Sequence, residues 1–335
     1  MRGFVGGPAA RRRCIRRVAA GLAPVLFAAS PAAAHGEPAT EPTLATLVDG
    51  WSFDVSVWLP IAVAGLAYWM AANAVDRAHP GNPVPRWRRW SWLGGLAVIV
   101  LALASPIERY DTTLFSVHMV QHLLLAMVAA PLLVLAAPIT LLLRVSSSEA
   151  RRRWILPVLR SAPVRVLSAP PVAWGILAGV MWFSHFSPLF DAALESEPLH
   201  RLEHALYLGA AMLFWWPVVG ADPSPHRLGH PARILYLALG MPLSSFLGLV
   251  IFSSRTVLYP HYETLPRDWG MSPLEDQAWA GGIMWVIGDL VFVIAIIAAV
   301  AVWLRHEDRE GKRVDERLDR ERLAQQRAEV AARAE

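Results

Sequence analysis

The chain has 335 residues, of which 55% are hydrophobic and only 17% charged, against about 25% charged in soluble domains. Its mean hydropathy is +0.38 and it carries 15 tryptophans, a residue that gathers where membrane meets water. The balance excludes one large soluble core, and a net charge of +4 with arginines clustered between apolar stretches excludes a nucleic-acid footprint.

Residues 1–34 read as a signal peptide. Arg11, Arg12, Arg13, Arg16 and Arg17 form the basic region, Val18 to Ala29 the short apolar run, and Ala32 to Ala34 a small-residue cleavage site. An uncleaved anchor is the alternative. Cleavage after Ala34 makes His35 a free amino terminus, where amine and imidazole together chelate a metal ion. Residues 35–53 then form an extracytoplasmic segment.

Seven apolar stretches follow, at roughly 54–75, 89–106, 114–143, 171–187, 200–219, 232–254 and 277–304, against the ~20 residues a span requires. The expected fold is all-α, a seven-transmembrane helix bundle over 54–304. Pro131 and Pro138 are expected to kink the third helix. Residues 305–335 form a charged tail of mixed sign, suited to a solvated helix with i,i+4 ion pairs or to a disordered segment.

The arginines orient the bundle. Arg77, Arg86, Arg88 and Arg89 follow the first stretch, Arg144 to Arg165 the third, Arg227 and Arg233 the fifth, and Arg305 the seventh. By the positive-inside rule these loops are cytoplasmic, with the amino terminus outside and the carboxyl terminus in the cytoplasm. A cleaved signal peptide predicts the same outside amino terminus.

That orientation gathers five histidines at the outer face. His118 and His122 open the third stretch, His185 closes the fourth, and His200 and His204 open the fifth. Residues four apart on a helix share a face, so each pair presents two imidazoles, and imidazole is the commonest protein metal ligand. The bland alternative is interfacial histidines that meet water and headgroups. The chain has one cysteine, Cys14, so a thiolate site or disulfide framework cannot be built. His261, in the last outer loop, and Met119 are secondary metal candidates, although Met119 projects ~100° from His118. Gln121 is a candidate to hold a ligand in place. Asp276 either caps its own helix or serves as a ligand or a hydrogen-bond acceptor for one. Asp289, near mid-span, is either functional or a packing residue.

The segments His118-Met119-Val120-Gln121-His122-Leu123-Leu124-Leu125 with Pro131 and Pro138, Trp182-Phe183-Ser184-His185, Glu203-His204, and Asp276-Gln277 with Gly281 to Trp285 resemble the CtaG-type cytochrome c oxidase assembly factors associated with caa3-type oxidases. The resemblance implies a multi-pass protein of the bacterial cytoplasmic membrane that helps mature a haem-copper oxidase. It also implies copper as the metal delivered, and an oxidase subunit and other copper chaperones as partners besides the lipid bilayer. Two rival readings remain. One is a zinc-dependent membrane hydrolase with Asp276 or Asp111 as its acid; the other is a haem-binding electron carrier.

Overall fold

The computed structural model describes residues 40–265 and 267–334. The expected signal segment and His35 lie outside the described residues, within which the protein is helical and contains no strand. Helices stand at all seven predicted stretches: α1 Val55–Ala78, α2 Arg86–Ala104, α3 Phe115–Val145, α4 Pro170–His185, α5 Glu197–Val219, α6 His230–Ser253 and α7 Pro273–Ala334. Six of them are long and apolar enough to cross a membrane. The exception is α4, whose 16 residues rise ~24 Å, short of the ~30 Å hydrocarbon core. After a bend of 72° the chain continues helically as Leu189–Glu195, and the pair counted together makes a seventh span.

Within the bundle α3 lies deep and α1 at the margin, with 50% of the apolar window buried in the first and 11% in the second. The backbone of α3 is irregular at both expected prolines. Pro131 has no N–H and its ring crowds the preceding turn; the helix widens just before it into an i→i+5 pattern over Leu124–Ala129. In that pattern the carbonyl of Ala126 would accept from residue 131, which has nothing to donate. The indole Nε1 of Trp215 on α5 donates to it instead, at 2.9 Å. Inside a membrane such a carbonyl must find a protein partner, because water is absent.

Pro138 follows a full break, at which Ala137 adopts the left-handed region with φ of 55°. The break is secured from three sides. The Tyr68 hydroxyl donates to Ala136 O at 2.8 Å, and Ser91 Oγ to Leu132 O at 2.7 Å. Asp222, from the loop after α5, accepts from the backbone N–H of Ile139 at 3.0 Å and of Thr140 at 2.6 Å.

Helices α6 and α7 pack with their backbones nearly touching. A Cβ on Gly281 would lie 2.5 Å from Phe252 N and 2.6 Å from Gly248 O. Small residues permit this approach, and dispersion between backbones then holds the pair in lipid. Further along, Ser245 Oγ lies 2.8 Å from each carboxylate oxygen of Asp289. Half-buried Asp289 therefore joins the two helices. Past the apolar stretch α7 simply continues as a helix, with ion pairs such as Arg317–Glu321 at 2.9 Å and Arg320–Glu316 at 3.7 Å.

Replacing Gly281 with valine should force α6 and α7 apart at an immovable backbone contact, costing ~1–3 kcal/mol. Thermal unfolding in detergent should show a clearly lower midpoint for Gly281→Val and an unchanged one for Gly179→Ala, where a Cβ meets nothing within 4 Å.

Candidate metal centre

The start of α3 has no capping side chain of its own, since Leu114 occupies the N-cap. The cap comes from α7. Asp276 accepts from Phe115 N at 2.6 Å, Ser116 N at 3.4 Å and Ser116 Oγ at 2.5 Å. Asp276 stands in the first turn of its own helix, where the sequence put it, but both its oxygens are spent on capping a neighbouring helix. The contact lies two residues before His118 and sets the depth and rotation at which α3 presents its histidines.

His118 and His122 are 0% and 4% exposed, and His200 and His204 on α5 are 2% and 5% exposed. These are core residues, which removes the interfacial reading. Ring centroids lie 4.2 Å apart for His118 and His122, 5.3 Å for His118 and His200, and 4.3 Å for His200 and His204. His185, at the end of α4, is 6.4 Å from His122. The five histidines thus form one buried cluster.

Two carboxylates complete it. Glu203 shares the buried face of α5 with the histidine pair, and its Oε2 lies 4.0 Å from His118 Nε2. Asp111, in the loop between α2 and α3, places Oδ2 3.6 Å from His200 Nε2. Ligand atoms of Asp111, His118 and His200 all lie within 4.8 Å of one another, as do those of His118, His122 and Glu203. Three donors bound at about 2.0–2.1 Å stand roughly 3.4–3.6 Å apart, so either triad closes on an ion with an inward shift of up to about an ångström.

Both ring nitrogens of His118 and of His122, Nε2 of His185 and both oxygens of Glu203 are buried with no hydrogen-bond partner. Leaving a buried polar group unpaired costs ~1–3 kcal/mol, which an ion held among them would offset. The other imidazoles are oriented by their surroundings. Gln121 Nε2 donates to Ala102 O at 2.9 Å and to Glu108 Oε2 at 2.6 Å, so its Oε1 faces His204 Nε2 at 2.9 Å. His204 therefore donates through Nε2 and keeps its lone pair on Nδ1. His185 Nδ1 lies 2.7 Å from the carbonyl of Met181, an acceptor, which leaves the lone pair on Nε2.

Outside the helices, burial pushes the Asp111 carboxyl well above the usual carboxylate range, and the nearby charge of Glu108 acts in the same direction. Burial also raises the Tyr262 phenol, so its hydroxyl stays a donor, to Asp111 O at 3.1 Å. His261 lies off the cluster, with Nε2 donating to Thr112 O at 3.0 Å. It braces the loop that carries Asp111. Phe190, from the bent segment after α4, roofs the site at 5.1 Å from His118 and 5.4 Å from His185.

Residues 66–306 match the family described as cytochrome c oxidase caa3 assembly factor. The chain belongs to this family. Uncharacterised proteins of Mycobacterium bovis and Mycobacterium tuberculosis are each 33% identical to it over 285 residues, and one of Mycobacterium leprae is 30% identical. Each alignment covers 83% of this chain but 43% of the relative, so the chain spans less than half the length of these proteins. No solved structure matches it.

In this caa3 assembly-factor relative, the sequence placed the histidines but missed the role of two acids. Glu203 carried a usable signal, since 200, 203 and 204 fall on one helical face. Asp111 was singled out only as the acid of the hydrolase reading and not as a member of the cluster, because it reaches the histidines only through the loop that Tyr262 and His261 hold. Met119 is 1% exposed and lies beneath the cluster beside His122.

Replacing Gln121 with leucine removes the acceptor that orients His204. Losing such a support should weaken metal binding by about 10–100-fold. Competition titration with Zn(II) or Cu(II) measures this, alongside a thermal scan confirming that Gln121→Leu is folded; undiminished affinity would count against the oriented-ligand reading.

Proposed function

We propose that the protein binds copper at the imidazole–carboxylate cluster and hands it to a haem-copper oxidase during assembly at the bacterial cytoplasmic membrane. The observation that carries this reading is the set of buried, unpartnered donors on His118, His122, His185 and Glu203, in a chain of the caa3 assembly-factor family. Nitrogen and carboxylate donors without thiolate suit Cu(II) or Zn(II). Coordination of this kind exchanges more readily than a thiolate cage, which delivery needs. His118, His122, His200 and His204 form the primary site on this reading, with His185 completing it or receiving the metal next. On the orientation the arginine pattern predicts, the cluster would lie toward the outer face, where an oxidase subunit would dock.

A zinc hydrolase is the second reading, favoured by Glu203 standing 4.0 Å from His118 Nε2, where it could serve a metal-bound water as base. Asp276 is not available for that role, because the start of α3 occupies it. The haem reading gains no support, since the cavity adjoining His122 and His185 has a volume of about 20 Å³ against the ~300 Å³ or more of a cofactor pocket.

Metal analysis of the purified protein tests the proposal. Wild type should carry copper and the His118→Ala/His204→Ala double variant should lose it. Copper retained in the double variant, or absent from both proteins, overturns the site. In cells, deleting the gene should lower caa3-type oxidase activity, and the double variant should fail to restore it. Stoichiometric zinc with hydrolysis of a lipid amide or ester would favour the enzyme instead.

A further inference from the structure

Next to the cluster, residues of α3, α4, α5, α6 and α7 line a small, partly open cavity of about 20 Å³, among them Met119, Met127, Met181, Met284, His122 and His185. The chain has nine methionines, and four of them, from three helices, meet at this one space. Methionine usually fills gaps in a core. Here the four surround a void large enough for one water-sized occupant, since ~10–15 Å³ holds one.

The polar groups around it are set up as donors to a cation. His185 Nδ1 lies 2.7 Å from the Met181 carbonyl, which directs its lone pair to Nε2, a buried atom with no partner. Met181 thus orients this imidazole with its carbonyl and is itself among the residues lining the cavity. His122 has two unpartnered ring nitrogens, so it can serve the cluster above or the cavity below. The Tyr207 hydroxyl is engaged with Ser184 Oγ at 2.7 Å, and Ser244 Oγ with Met241 O at 3.3 Å.

Charge separates the two compartments. Asp111 and Glu203 give the upper cluster carboxyls that would ionise on binding a divalent ion, supplying the charge it needs in a dry interior. No carboxylate is among the residues lining the lower cavity, and burying an uncompensated double charge there would be prohibitive. A monovalent ion with neutral imidazole and thioether ligands costs least, and thioether sulfur selects Cu(I) among biological metals. We propose that this methionine–histidine chamber is a second metal site, specific for a soft monovalent cation of the Cu(I) and Ag(I) class, joined to the upper cluster through His122.

The chamber adds to the copper reading above but is tested separately from it. The probe is Ag(I), which is redox-inert, titrated into the full-length protein in detergent beside Zn(II). Met181→Leu/Met284→Leu conserves volume and should weaken Ag(I) binding by at least about tenfold while leaving Zn(II) binding unchanged. Asp111→Asn/His200→Ala should do the reverse. X-ray absorption on the wild-type Ag(I) complex should show sulfur in the first shell, a readout that holds even if a variant folds poorly. Ag(I) bound through nitrogen and oxygen alone, Ag(I) affinity unchanged in the methionine variant, or no Ag(I) binding at all overturns the chamber. Failure of Zn(II) and copper(II) binding with the Ag(I) results intact would overturn only the upper site.

Discussion

Helix α3 is the member on which the rest depends, and it is held by side chains from outside itself. Asp276 on α7 satisfies its first N–H groups, and Asp222 satisfies the new helix start after the break at Ala137. Between these points Trp215 on α5 takes the carbonyl that Pro131 orphans. In hydrocarbon each of these groups would otherwise remain unpaired at several kcal/mol. The irregular helix is therefore stable only with its neighbours in place, and its histidines are positioned only when the whole bundle has assembled.

The same economy shapes the chemistry. The five histidines, Glu203 and Asp111 form one buried polar cluster, and several supporting contacts orient or brace parts of it. Gln121 directs His204, Met181 directs His185, and Tyr262 and His261 hold the loop that brings Asp111 against His200. Phe190 closes the top. His122 belongs both to the group that includes Glu203 and to the lining that includes the methionines.

The seven helices were legible because a bilayer imposes a length and a hydropathy that one chain must satisfy segment by segment. The two histidine pairs were legible because i,i+4 spacing fixes a shared face before any tertiary contact forms, and His185 because it closes the fourth apolar stretch. The fourth stretch was legible as helix but not as bent, since the turn after His185 depends on Phe190 packing among Phe115, Tyr259 and the histidines. Asp276 was visible as a polar residue near a helix start, yet which helix it caps is a matter of how α7 lies against α3.

By itself, then, the sequence determined the helices, the absence of thiolate ligands and the presentation of paired imidazoles, because these follow from local period, length and composition. Only the tertiary structure decided that the pairs are buried together, that Glu203 and Asp111 join them, and that four methionines converge beneath. Those are relations between helices distant in the chain. They are set by proline-driven irregularities in α3 and by the partners each freed backbone group finds across the bundle, which no single segment encodes.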